Sequence, residues 1–219
     1  MKHMLLAAAA AALTAGLAFG DVPGRPWYSF VQLVGISRMQ ADGSFRAISG
    51  VGLPVCGGDV IITVLHVSES IRDSKFQHAV SVRLHENGET FEASELPIAG
   101  ITRACDAGGC IGIVRLKRPL PWTASIAQDR RTAVVGRVVA CDYGHCRLFS
   151  LLLIRAGWLW IGRAEGLPVI PGKSGSPAYD DDGRVVGLLE GMGVAEWDRS
   201  TSILIFQAVP ADLCARLKG

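Results

Sequence analysis

Pro171-Gly172-Lys173-Ser174-Gly175-Ser176-Pro177 is the stretch of this 219-residue chain on which the reading of the rest turns. It sets a serine among glycines and closes on a proline, so the backbone must turn tightly around one hydroxyl. Downstream come Ala178-Tyr179, an acidic turn and the strand-like run Gly183-Arg184-Val185-Val186-Gly187. Far upstream, in Gly52-Leu-Pro-Val-Cys-Gly-Gly-Asp-Val-Ile-Ile-Thr-Val-Leu-His66-Val67, a β run ends in Thr63 and a histidine follows. A serine hydroxyl is a poor nucleophile until a hydrogen-bonded imidazole can take its proton, and these two segments supply that pair. The bland alternatives are an ordinary Gly-Ser-Pro turn and a core histidine. Each is credible alone; together they are much less so.

The chain between these segments reads as short β runs with turn signals every 8 to 15 residues. Ser29 to Ile36, Ala47 to Pro54, Asp59 to Thr63, Val80 to Leu84 and Glu89 to Ile101 form the first group, with a hairpin expected at Asn87-Gly88. Ile111 to Leu116, Ala133 to Ala140, Arg147 to Leu153, Gly157 to Ile161, Arg184 to Glu190 and Ser202 to Gln207 follow. Ala211 to Gly219 reads as a short terminal helix. Many short strands and one late helix predict an all-β sandwich or barrel.

Composition narrows the function. Charged residues make up only 19% and the net charge is +2, which argues against a nucleic-acid binder held by basic patches. Met1-Lys2-His3 precedes an uncharged run from Met4 to Phe19, and Ala18-Phe19-Gly20 offers the small residues that a signal peptidase reads. Residues 1–20 are therefore expected to be a signal peptide cleaved before Asp21, leaving no stable membrane anchor. Export to the periplasm or outside makes cysteine pairing the default. Cys105-Asp-Ala-Gly-Gly-Cys110 and Cys141-Asp-Tyr-Gly-His-Cys146 each enclose a hairpin-like turn, so Cys105–Cys110 and Cys141–Cys146 are the favoured pairs, with Cys56–Cys214 as a third. A four-thiolate zinc site or a redox centre is the rival, but the spacing fits zinc poorly.

The two chemical segments resemble those of the chymotrypsin/trypsin-like serine peptidases, in a bacterial-type form. Thr63-Val-Leu-His66 matches the family's T-A-A-H, and Gly172-Lys-Ser-Gly-Ser-Pro177 matches G-D-S-G-G-P at four of six positions. The resemblance spans roughly Phe30 to Ala208. It implies two six-stranded antiparallel β-barrels with a short C-terminal helix, in one peptidase domain over residues 21–219 with its barrel boundary near 121–132. It implies Ser174 as nucleophile, His66 as general base and the N–H groups of Gly172 and Ser174 as oxyanion hole. No cofactor and no metal are implied, and the expected partner of this monomer is a protein or peptide substrate.

The chain departs from the family at the third triad member. The run that matches D-I-A-L-L-R-L is Cys110-Ile-Gly-Ile-Val-Arg-Leu116, so a cysteine stands where the family has its aspartate. Three readings follow. Asp106, four residues upstream, takes the vacated place; or a His66–Ser174 dyad works with backbone or another carboxylate; or the chain is an inactive relative that binds a partner peptide. Lys173 replaces the aspartate that pairs with a new N-terminus in zymogen-derived members, which implies a peptidase without that activation step. Pro168 stands six residues before Ser174, where no acid selects Arg or Lys, and an apolar specificity pocket is preferred. Glu190, in Leu188-Leu189-Glu190-Gly191-Met192-Gly193, reads as a solvated loop carboxylate or a selector of basic groups.

Overall fold

The computed structural model describes residues 29–36, 42, 44, 47–84, 90–128, 133–142, 145–156, 158–163, 172–195 and 198–218. The expected signal peptide, the Asn87-Gly88 hairpin and Pro168 lie outside the described residues.

Alternating apolar residues build the first sheet from β1 (Ser29–Ile36), β2 (Ala47–Val55), β3 (Val60–Val64), β4 (Phe76–Leu84), β5 (Thr90–Leu96), β6 (Ile98–Asp106) and β7 (Gly109–Leu116). They pair antiparallel in the order β5-β4-β1-β2-β3-β7-β6. The two edge strands, β5 and β6, follow one another through Pro97, so the sheet curls toward that corner. Seven strands stand where six were expected. The run Glu89 to Ile101 reads as one strand, but Pro97 has no N–H to give a ladder and divides it. All five residues of β3 are buried, because one face points into the sheet's core and β12 packs over it from the second half.

β8 (Ala133–Asp142), β9 (His145–Ala156), β10 (Leu159–Arg163), β11 (Pro177–Tyr179), β12 (Val185–Ala195) and β13 (Asp198–Ala208) close into a six-stranded barrel, in the order β10-β13-β12-β11-β8-β9. Leu151, Leu153, Trp160, Leu204 and Phe206 fill it. The fold is thus the all-β, two-barrel architecture that the resemblance implies.

The connecting segment is bonded to both halves. Ala124 N–H donates to Pro54 O at 2.8 Å, while Ala127 N–H donates to Val185 O at 2.9 Å and Val185 N–H to Ser125 O at 2.8 Å. Tyr179, Val185, Leu188 and Leu213 join the first sheet's core, so the halves share a packed face.

Two helices complete the described residues. α1 (Leu65–Arg72) was not visible in the strand pattern; it buries Val67, Ser68 and Ile71, the i, i+1, i+4 stripe of a short helix. α2 (Leu213–Arg216) is shorter than the expected Ala211 to Gly219. Cys56–Cys214 ties the β2–β3 turn to α2, and Cys105–Cys110 ties the β6–β7 hairpin. Cys141 sits opposite Cys146 in the β8–β9 register, and their side chains lie outside the described residues. No described helix is long and apolar enough to cross a membrane.

Candidate active site

His66 is placed by the burial of its neighbours. β3 lies between β2 and β7, and the chain leaves it at Val64 to enter α1. Val67, Ser68 and Ile71 turn inward, and the Ser68 hydroxyl donates to Leu65 O at 2.8 Å. The second residue of the helix, His66, is left facing out, its side chain 50% exposed.

The glycine-rich turn that carries Ser174 is fastened on both sides. Ser176 N–H donates to Lys173 O at 3.0 Å and closes the turn around Ser174. On the side of the first sheet, Val51 N–H of β2 donates to Ser174 O at 2.8 Å. Toward the barrel, Gly175 N–H donates to Leu189 O and Leu189 N–H to Ser176 O, both at 2.8 Å. Gly175 has φ +89° and lies so close to β2 that a methyl there would collide with the Val51 carbonyl and the Thr63 hydroxyl. That hydroxyl itself donates to Val51 O at 2.7 Å. No residue but glycine fits this contact.

One residue of β2 marks where the two segments meet. A Cβ on Gly50 would strike the Val67 side chain of α1 and lie 3.1 Å from Ser174 O. The helix that carries His66 and the turn that carries Ser174 therefore converge on the same point of the first sheet. Ser174 is half-buried there, and Lys173, beside it, is buried.

The carboxylate against the histidine is Glu190. Its Oε1 lies 3.1 Å from His66 Nδ1, with side-chain exposures of 39% for Glu190 and 50% for His66. Glu190 is the unpaired residue of a β-bulge: Leu189 faces Phe206 of β13 and Gly191 faces Ile205, with nothing opposite Glu190. A bulge breaks the in-out alternation of a strand and re-aims the extra side chain. Glu190, read as a solvated loop residue or a selector of basic groups, lies instead in a strand, 39% exposed, with its carboxylate turned onto His66. An acid followed by glycine inside an apolar strand was the signal available in the sequence.

Asp106 is engaged elsewhere. Its Oδ1 accepts from Gly108 N–H at 2.7 Å, and its Oδ2 lies 3.3 Å from Arg216 Nη1. Arg216 also donates to Cys105 O at 2.7 Å, so α2 clasps the tip of the β6–β7 hairpin. Asp106 was expected at the vacated triad position; its carboxylate is bonded to a guanidinium and a turn N–H. Cys110 itself is bonded to Cys105. Val64 pairs with Ile111, so this disulfide sits at the end of β7 nearest the start of α1. His78 faces Glu95 at 2.9 Å and is 43% exposed.

Similarities to solved structures follow the fold. The chain superposes on the scabies mite inactivated protease paralogue S-I1 with a TM-score of 0.59 at 12% identity, covering 91% of this chain and 98% of that one. A protease from M. tuberculosis in its active form gives 0.55 at 16% identity, with 92% of each chain covered. A mutant of the tobacco etch virus protease gives 0.57 at 16% identity, covering 93% of this chain and 82% of that one. At these identities the likeness is one of fold, the chymotrypsin-like, two-barrel architecture. No family model matches the chain, and no curated protein matches it either.

Proposed function

We propose that this protein is an exported serine endopeptidase that cleaves peptide bonds through an acyl-enzyme on Ser174, with His66 as general base. The observation that supports it is the docking of the nucleophile turn on β2 beside the histidine helix, through Val51 N–H to Ser174 O at 2.8 Å and a glycine that leaves no room for a side chain. A plain surface turn has no need of either contact.

The steps balance without a cofactor. Ser174 Oγ attacks the carbonyl carbon as its proton passes to His66 Nε2, and the resulting oxyanion is met by the N–H groups of Gly172 and Ser174. The C–N bond then breaks while His66 returns the proton to the leaving amine. Water repeats the sequence: its oxygen bonds to the acyl carbon, its proton goes through His66 to Ser174 Oγ, and the acid leaves. Gly172 has φ +93°, the backbone state that turns a peptide N–H toward such an anion.

The Cys56–Cys214 and Cys105–Cys110 disulfides accord with an oxidising compartment and hence with residues 1–20 acting as a leader. β12 continues past Glu190 to Met192, which is 41% exposed and offers an apolar wall to the substrate. With Glu190 turned onto His66, an apolar substrate side chain is the preferred class. Cys110 in the family's aspartate position favours a second reading, an inactive peptidase fold that binds a partner peptide. A fluorophosphonate probe separates the two. Labelling of the wild type and none of Ser174→Ala is expected. Folded wild type that stays unlabelled by several such probes would leave the binding protein.

A further inference from the structure

We infer that Glu190 completes the catalytic triad from the second barrel, in place of a carboxylate at the start of β7. The inference rests on the serine-peptidase reading and adds the residue that orients its base. Glu190 Oε1 stands 3.1 Å from His66 Nδ1, and the carboxylate nearer in sequence to the family's position, Asp106, is bound to Arg216. The β12 bulge that aims Glu190 is not an isolated irregularity. Leu189, immediately before it, is bonded through both its N–H and its carbonyl to the nucleophile turn, at Ser176 and Gly175. One short length of backbone therefore both holds the turn that carries Ser174 and aims the carboxylate that faces the imidazole.

The chemistry follows from what a carboxylate can do. Ionised, it only accepts, so its bond to Nδ1 requires the proton there and leaves the lone pair of the neutral ring on Nε2. That is the nitrogen that must take the Ser174 proton. Once it does, the ring is a cation beside an anion, which lowers the cost of the charge formed in the transition state. Glu190 touches no reacting atom; it is a positioning residue. Because His66 and Glu190 are 50% and 39% exposed, water weakens the pair, and its loss should cost less than in a fully buried triad.

The test uses the full chain and the variants Glu190→Gln and Glu190→Asp. Gln keeps the shape but removes the charge and admits the wrong tautomer. It should lower kcat, and the rate of fluorophosphonate labelling of Ser174, by about 10² to 10⁴-fold, with KM within about 3-fold of wild type. Asp, which keeps the charge, should recover at least about 10-fold over Gln. A second readout needs no turnover. In Ser174→Ala protein, the low-field proton resonance of His66 Nδ1–H should be present with Glu190 and vanish with Gln. Labelled wild type with Gln within about 3-fold of it, or a resonance indifferent to Gln, would overturn the assignment of Glu190. A wild type that shows the Glu190-dependent resonance but no labelling would instead sink the peptidase reading and leave the pair standing.

Discussion

The tip of the β6–β7 hairpin and the bulge in β12 both present a carboxylate, and they treat it in opposite ways. At the hairpin tip, Asp106 is closed in by the Cys105–Cys110 disulfide, the N–H of Gly108 and the guanidinium of Arg216. At the bulge, Glu190 has no residue opposite it on β13, and its oxygen faces an imidazole. The tip uses its carboxylate to tie α2 to the first sheet; the bulge turns its carboxylate onto His66. What makes a carboxylate available to a base is a backbone device that aims it, not nearness in sequence to a motif.

The sharpest way to break this contrast is to disturb the bulge through the turn bonded to it. Gly175→Ala places a methyl against the Val51 carbonyl and strains a backbone at φ +89°. The turn must lift from β2, and the Leu189 bonds shift with it. A fall in kcat/KM of about 10³-fold or more is expected, since losing one oxyanion donor alone costs about 10² to 10³-fold. If turn and bulge act as one unit, the double variant with Glu190→Gln should lose much less than the product of the single losses. Steady-state kinetics on a chromogenic peptide decide this, with thermal melts as the control for folding.

A smaller effect sharpens the other side. Cys56–Cys214 spans 158 residues and anchors α2, the element from which Arg216 reaches Asp106. Replacing both cysteines with serine should cost about 2 to 5 kcal/mol of stability, as long closed loops lose most when opened. The corresponding Cys105/Cys110 replacement opens a loop of only 5 residues of separation and should cost less. Denaturant melts rank the two. A larger loss from the Cys105/Cys110 replacement would show that the hairpin tip, rather than α2, is the structural keystone of this side.

Local patterns account for what was legible. β1 runs from Ser29 to Ile36 as its alternation predicts, and the strands of both halves fall on the apolar runs within a few residues. The three-residue β11 is too short to show a period, and α1 has eight residues and no side-chain cap at Val64. His66 and Ser174 were visible because each sits in a contiguous motif whose glycines and strand ending are local facts. The partner of His66 was not, since it lies 124 residues away and is aimed by a register shift. Asp106 attracted attention by standing four residues before Cys110, while the arginine that holds it comes 110 residues later.

The least effect is expected from Asp106→Asn, and for that reason it separates the two regions most cleanly. The Asp106–Arg216 pair is about one-third exposed on each side, 37% and 33%, a setting in which an ion pair contributes roughly 0 to 1 kcal/mol. The Gly108 N–H can still bond to the amide oxygen of asparagine, so the turn keeps its shape. Stability should fall by less than about 1 kcal/mol, and kcat/KM should stay within about 3-fold of wild type. Were Asp106 to orient His66 during turnover, its amide would present the wrong tautomer and the loss would approach about 10⁴-fold. The same substitution thus reads two magnitudes that cannot be confused. A loss of that size would mean that the Arg216 clasp opens during catalysis, with the hairpin tip rather than the bulge supplying the charge.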